Sequence, residues 1–170
     1  MDISWFYNIN PVLATFLLSM LPIIELRGAI PLAIANFDLA LWQIFTVSVI
    51  GSFIPAIFIV YWLGPVSKWF RKWKIFDRFF IWLFDRTRSK FDKKYAAQGK
   101  LALMFFVAIP LPGTGVWTGS LAAWLFNFNK KHALAYIGLG SILAGILVTL
   151  ISIGAFTIFD FVFFKCLCFF

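Results

Sequence analysis

The sequence predicts an all-α integral membrane protein. Two inverted repeats, each a re-entrant hairpin followed by a spanning helix, are joined by a basic amphipathic linker. Three observations lead there. The 170 residues are 62% hydrophobic and 13% charged, against about 45–50% and about 25% in soluble domains. A soluble unit of this size leaves too much surface wet to hide so much apolar area, so lipid is the outer solvent. Four apolar stretches, at residues 12–35, 39–63, 101–126 and 133–159, each exceed the ~20 residues that cross a ~30 Å hydrocarbon core. Finally, eleven of the fifteen basic residues lie between Lys68 and Lys100, the excess that marks a cytoplasmic flank.

The stretches divide into two kinds. Residues 39–63 and 133–159 contain no Asp, Glu, Lys or Arg and read as ordinary spanning helices, with Pro55 a tolerated kink. The stretch 12–35 is interrupted by Pro22, Gly28 and Pro31, and 101–126 by Pro110, Pro112, Gly113, Gly115 and Gly119. Proline removes a backbone donor and glycine lets the chain reverse, so each is expected to break into arms of about 15 Å, half a bilayer. Flanking charge favours hairpins over spans. No basic residue flanks the first stretch, whereas Lys93, Lys94 and Lys100 precede the third and Lys130 and Lys131 follow it. Each broken stretch then returns to its own side, the first outside and the third inside.

A faint repeat fits this scheme. Gly28, Asn36 and Phe37 match Gly119, Asn127 and Phe128 at constant offset, and Gly51-Ser52 matches Gly140-Ser141. Discontinuous helices in inverted copies are a recurring transporter design. The boundaries expected within a single membrane domain (1–170) are 11–64 for the first repeat, 65–99 for the cytoplasmic or interfacial linker, 100–159 for the second repeat and 160–170 for a tail. In the linker, Val66, Trp69, Trp73, Phe76, Phe80 and Leu83 recur at helical spacing with Lys68, Arg71, Lys72 and Arg78 between them. That pattern suits either a helix in the interface plane or a solvated positive loop. The basic stretch is interleaved with aromatic residues, so an anionic membrane surface, not nucleic acid, is its expected partner.

Glu25 and Arg27 are the only charged residues inside the four stretches. Either one at a helix centre costs about 2.5–3.5 kcal/mol on insertion scales, so a paired, hydrated or functional role is expected. At a broken hairpin tip they can converge on a polar cavity. Glu25 is expected to respond to a proton or cation, and Arg27 to suit an anionic phosphate or carboxylate. The alternative is a buried ion pair that only fixes the hairpin. In the second break Gly113, Gly115 and Gly119 allow close backbone approach and Thr114 and Thr118 carry hydroxyls, for ion or headgroup contact or for packing. Gly138, Gly140, Ser141, Ala144 and Gly145 read as a packing face, with dimerisation as one use.

Other chemistry has little support. Cys166 and Cys168 offer two ligands where a structural zinc site needs four. His132 lies beside Lys130 and Lys131 and reads as a solvated flank residue. Ser120 and Ser141 have no base at a telling spacing. No catalytic group, metal or cofactor is expected. The first basic residue is Arg27, so a cleaved signal peptide is not expected.

The run Glu25-Leu26-Arg27-Gly28-Ala29-Ile30-Pro31 resembles the E-x-R-G-A-I-P signature of the small multidrug export protein family. Pro110 to Gly119 resembles that family's P-x-P-G-T-G-x-W-x-G element. The resemblance implies a multi-pass protein of the bacterial inner membrane. It places the substrate- or ion-binding residues at Glu25, Arg27, Gly28, Pro31, Pro110, Pro112, Gly113, Thr114, Gly115 and Gly119. The layout is more distantly similar to the DedA superfamily, which includes lipid-carrier flippases and lipid scramblases. That group places arginines in its second half, whereas the second broken stretch here has none. The departure argues against polyisoprenyl-phosphate recognition unless Arg27 supplies the guanidinium.

The expectation is a transporter or flippase for an amphiphilic solute or lipid headgroup, coupled to a proton or cation through Glu25 and acting as a homodimer among membrane lipids. The alternatives are an uncoupled lipid scramblase, and a non-transporting membrane factor that acts through helix packing and the basic linker.

Overall fold

The computed structural model of the chain describes residues 10–70, 99–110 and 114–167. Six helices occur among them: α1 (Pro11–Met20), α2 (Glu25–Asn36), α3 (Leu41–Phe70), α4 (Lys100–Ala108), α5 (Val116–Leu125) and α6 (Lys130–Leu167). No strand occurs among the described residues. Each stretch expected to break is a pair of short helices, and each expected to span is one long helix. Most of the basic linker (71–98) lies outside the described residues, and with it most of the proposed interfacial helix. Pro112, Gly113 and Cys168 lie outside them too.

Local signals fix the first pair. The Asn10 side chain accepts from the Val12 N–H at 2.9 Å, and Pro11 occupies the first helical position, where its missing N–H does no harm. The helix stops before Pro22, which cannot continue it. With 10 and 12 residues, α1 and α2 are about 15 and 18 Å long, roughly half a hydrocarbon core each. They pack against one another and against α3.

Two expected breaks are not breaks. Gly28 and Pro31 lie inside α2, which runs through both, so the interruption is confined to the four residues around Pro22. The Gly28 N–H bonds to the Ile24 carbonyl at 2.9 Å, and Pro31 forfeits one bond that neighbouring packing makes tolerable. Gly119 likewise lies inside α5, its N–H on the Gly115 carbonyl at 2.8 Å. The second interruption lies between Ala108 and Val116, with Ile109, Pro110, Thr114 and Gly115 outside helix, as Pro110 and Gly115 suggest. The long helices also overrun their expected ends. α3 continues past Pro65 to Phe70, and α6 continues to Leu167 through the segment read as a tail.

Residues 41–64 of α3 and 130–155 of α6 have mean hydropathies of 2.2 and 2.3, yet only 39% and 33% of their most apolar windows are buried inside the protein. The core helix of a soluble domain would be covered. These instead turn Ile50 and Phe58, and Ile142, Ile146 and Leu150, outward. Trp42 and Trp62 are both exposed, about 30 Å apart along α3 at ~1.5 Å per residue, which matches the hydrocarbon thickness and an aromatic anchor at each edge. This is a helical membrane protein.

Two small cores order the long helices. One gathers Leu26, Ile30 and Ala33 of α2 with Ile44 of α3 and Ala144 and Val148 of α6. The other gathers Leu103 and Val107 of α4 and Val116 and Ala122 of α5 with Ala56 and Val60 of α3 and Ala133 and Ile137 of α6. The two cores come in opposite order along α3 and α6, so these helices run antiparallel. The Lys130 ammonium, at the start of α6, lies 5.1 Å from the ring centroid of Tyr61 in α3.

The small residues of α6 pack within the chain. A Cβ on Gly140 would lie 2.6 Å from the Met104 carbonyl oxygen of α4, and Ser141 and Ala144 are buried. The face read as a packing face is therefore used, at these positions, against the chain's own helices. Gly51 does for α1 what Gly140 does for α4: a Cβ there would lie 2.8 Å from the Phe16 carbonyl oxygen. The Gly-Ser pair that matched between the two halves marks the same kind of close helix approach in each.

Candidate functional site

A helix interrupted inside a membrane leaves orphan groups: carbonyls at the end of its first half and N–H groups at the start of its second. Between α4 and α5 these are the last carbonyls of α4 and the first amides of α5. Lipid cannot satisfy them. The charged pair of α2 does so.

Glu25 is where the chain leaves the turn after Pro22 and enters α2. Its φ is +51°, the left-handed region that side chains other than glycine rarely adopt. Residues two apart on a regular helix point away from each other. Because Glu25 is off helical geometry, its carboxylate swings back toward Arg27, with Oε2 3.7 Å from Nε. The other oxygen, Oε1, accepts the Val116 N–H at 2.6 Å in a buried bond. That amide is the first of α5, so the carboxylate caps a helix N-terminus, where the macrodipole favours negative charge.

Arg27 serves the opposite end. One terminal nitrogen donates to the Thr114 carbonyl and hydroxyl, both at 3.0 Å. The other donates to the carbonyls of Val107 and Ile109, at 3.0 and 3.1 Å. Val107 is in the last turn of α4, the negative end of that dipole. Thr114 adds a second tie, its hydroxyl donating to the Ile109 carbonyl at 2.8 Å. The acid is thus at the amide end of the break, while the base spans from the carbonyl end to Thr114 just before α5, and the two motifs complete one another.

Gly115 makes the approach possible. Its φ of +130° is strained for any other residue, and a Cβ on it would run into the Glu25 carboxylate, 2.9 Å from Oε1 and closer still to Oε2. Beside this contact is a cavity of about 420 Å³, lined among others by Pro22, Glu25, Arg27, Gly28, Pro110, Thr114, Trp117 and Thr118. It joins the first break to the second.

Five of the ten residues expected at a site therefore line one cavity: Glu25, Arg27, Gly28, Pro110 and Thr114. Gly115 is in contact with it through Glu25. Pro31 is half-buried in α2 and does not line it, and Gly119 is buried against Val107 and Leu103 of α4. Pro112 and Gly113 lie outside the described residues. Thr118, whose hydroxyl the sequence offered beside that of Thr114, lines the cavity as well, as does Trp117. The carbonyls of Val107 and Ile109 carry no side-chain signal. Among the described residues no cluster of three or more His, Cys, Asp or Glu side chains could hold a metal ion.

Searches of curated proteins and of solved structures give no match, and no match ties the chain to the DedA superfamily. A family profile does match. It begins at Glu25, ends inside α6, and takes in the Glu25/Arg27 motif, the second break and most of the residues that line the cavity between them. On that match, over residues 25–147, the chain belongs to the family described as Putative small multi-drug export protein.

Proposed function

We propose that this chain is a small transporter or flippase that moves an amphiphilic solute or lipid headgroup through the cavity between its two broken helices, with Glu25 coupling a proton or cation to the movement. The observation that carries this reading is the polar cavity at the junction of the two breaks, walled by the only charged pair in the four apolar stretches. The family's name, an export protein, points the same way.

The Glu25 carboxylate and the Arg27 guanidinium hold α2 against the ends of α4 and α5. A proton on Glu25, or a competing cation, removes the negative charge that caps α5 and frees the two breaks to part. Arg27 gives its terminal nitrogens to four protein oxygens in this conformation. An anion at Arg27 would have to displace them, so its first role is to hold the junction.

The architecture that goes with this reading is the inverted repeat. Antiparallel α3 and α6, each paired closely with the first short helix of its own half, support it, as do short helices half a bilayer long. The setting is a bacterial inner membrane crossed more than once, with lipids as partners. A homodimer would thicken the thin wall that so few helices make around a cavity.

The test is headgroup translocation in liposomes. Purified protein is reconstituted with a fluorescent phospholipid or polyprenyl-phosphate probe, with and without an imposed pH gradient, beside Glu25→Gln. Glutamine keeps an acceptor for the Val116 N–H while the charge is lost, and the comparison is made on variant protein shown to be folded. Movement above empty vesicles that collapses in the mutant supports the reading. Gradient dependence identifies a coupled carrier, and its absence an uncoupled scramblase working through the same cavity. Folded protein that moves neither probe sinks the lipid form of the proposal. The four-oxygen engagement of Arg27 would then favour a structural junction in a non-transporting factor.

A further inference from the structure

A second cavity adjoins the first and differs from it in chemistry. It has a volume of about 630 Å³ and is bounded by Leu21 and Pro22 on one side, Phe58 and Ile59 of α3 on another, and Trp117 of α5. None of its described lining residues is charged. Phe58 and Trp62 are also exposed on the outer surface of α3, so this is a groove open to lipid.

Its wall contains a polar atom that the fold leaves unused. The Trp117 indole N–H is buried and finds no acceptor among the described residues. The hydroxyls of Ser48 and Thr149 are unpaired too, but a hydroxyl can turn onto a carbonyl of its own helix, as those of Ser52 and Ser152 do. An indole N–H has no such recourse, because it only donates and its rigid ring carries it away from the helix axis. Within lipid no water makes up for the loss, so the unmade bond is costly. The nitrogen is covered in this conformation. A small turn of the ring, which no hydrogen bond of the indole opposes, brings it to the groove.

Depth and sign narrow the ligand. Phe58 and Ile59 precede Trp62 by four and three residues, so they lie about 6 and 4.5 Å inside the aromatic anchor along α3. The groove is thus below the level of lipid headgroups. A phospholipid keeps its ester oxygens near that anchor and offers only hydrocarbon to the groove, which leaves the N–H unpaired. A cationic head would set a second donor against the first. An anionic head would be stranded away from water with no cation in the described groove wall. A neutral molecule that dissolves in hydrocarbon and carries a carbonyl oxygen meets both requirements. In that medium neither partner gives up water to form the bond, so the bond keeps most of its intrinsic strength.

We infer that the groove is a binding site for a neutral, lipid-soluble carbonyl compound, its chain along Phe58 and Ile59 and its oxygen on the Trp117 indole N–H. The site is separate from the transport reading above, since its ligand uses neither Glu25 nor Arg27, and the failure of either leaves the other standing. The test is equilibrium binding of tritiated 2-undecanone to the full chain in phosphatidylcholine nanodiscs, with protein-free discs subtracted and concentrations taken per lipid. Saturable binding is expected. It should be at least fivefold weaker in Trp117→Phe, which keeps a ring and loses the N–H, and at least fivefold weaker in Ile59→Trp, which fills the groove. Leu150→Trp, on the exposed face of α6, should bind as the parent does. Undecane, of the same length without the oxygen, should compete only at concentrations at least fivefold higher, and decyltrimethylammonium not at all.

Equal competition by undecane, or unchanged binding in Trp117→Phe, overturns the hydrogen bond. Unchanged binding in Ile59→Trp overturns the groove. Equal competition by decyltrimethylammonium overturns it too, by placing the ligand in the charged cavity. Absence of saturable binding overturns the inference as a whole. If Trp117→Phe does not fold, the comparison of 2-undecanone with undecane on the parent protein still decides.

Discussion

Replacing Gly115 by alanine separates the two demands made on that residue. The first is conformational: a φ of +130° in a residue with a Cβ costs about 1–3 kcal/mol. The second is steric, because the new Cβ enters the space of the Glu25 carboxylate. Moving the carboxylate away breaks its bond to the Val116 N–H, a charge-assisted bond with a net value of about 1.5–3 kcal/mol. The sum is roughly 2.5–6 kcal/mol, and at ~2–4 °C per kcal/mol the Tm should fall by about 5–24 °C. Thermal unfolding followed by tryptophan fluorescence in detergent measures it. Gly99→Ala is the control, since its φ is +70° and nothing lies within 4 Å of an added Cβ, so only the conformational part is lost. A double-mutant cycle completes the argument. In a Glu25→Ala background there is no carboxylate to displace, and Gly115→Ala should lose only its conformational part, leaving a coupling of about 1.5–3 kcal/mol. Additivity within about 0.5 kcal/mol would refute the claim that Gly115 is glycine for the sake of Glu25.

Other consequences follow from the same contacts. Arg27→Lys should destabilise by about 3–5 kcal/mol despite its kept charge, because one ammonium cannot reach four oxygens on both sides of the break, and a melt matching that of the parent would contradict the brace. Gly140→Val should prevent folded, monodisperse protein from accumulating, since the added Cβ meets the Met104 carbonyl and Val107. Gly154→Val, with nothing near it, should leave the size-exclusion profile unchanged. In a background lacking Cys166 and Cys168, single cysteines at Asn10 and Asp38, both exposed, should react with an impermeant maleimide from the same side of intact cells. Labelling from opposite sides would make α1 and α2 halves of one span.

Much of the fold was legible because lipid imposes simple rules. The four apolar stretches, two broken and two intact, became two helix pairs with bounds shifted by a residue or so and two long helices that overrun their expected C-terminal ends, to Phe70 and Leu167. The errors have one source. Pro31, Gly28 and Gly119 were read as breakers by residue type, but whether a proline or glycine breaks a helix depends on what covers it. Pro31 is held within a helix packed on α3, and Gly119 is pressed against Val107. Pro22 has no such cover and breaks the chain. At the site, Glu25 and Arg27 stood out as the only charges in apolar sequence. Their purpose did not, because their partners are a main-chain amide and carbonyls more than seventy residues away, which no side-chain pattern reveals.

That long separation has a consequence for how the two motifs depend on each other. A break in a membrane helix and a charge in a membrane helix are each unfavourable alone. The break strands amides and carbonyls, and the charge lacks water. Here each supplies what the other lacks. The carboxylate finds a helix N-terminus, the guanidinium finds a helix C-terminus, and Gly115 provides the clearance. Removing either motif exposes the other, so single substitutions at Glu25, Arg27 or Gly115 should be strongly non-additive, whereas a change at Gly51, which serves only α1, should add independently. The same reciprocity makes the junction a suitable place for a switch on the proposed transport reading. Neutralising Glu25 unties both breaks in one event, and a ligand that competes for the carboxylate acts on the two halves together.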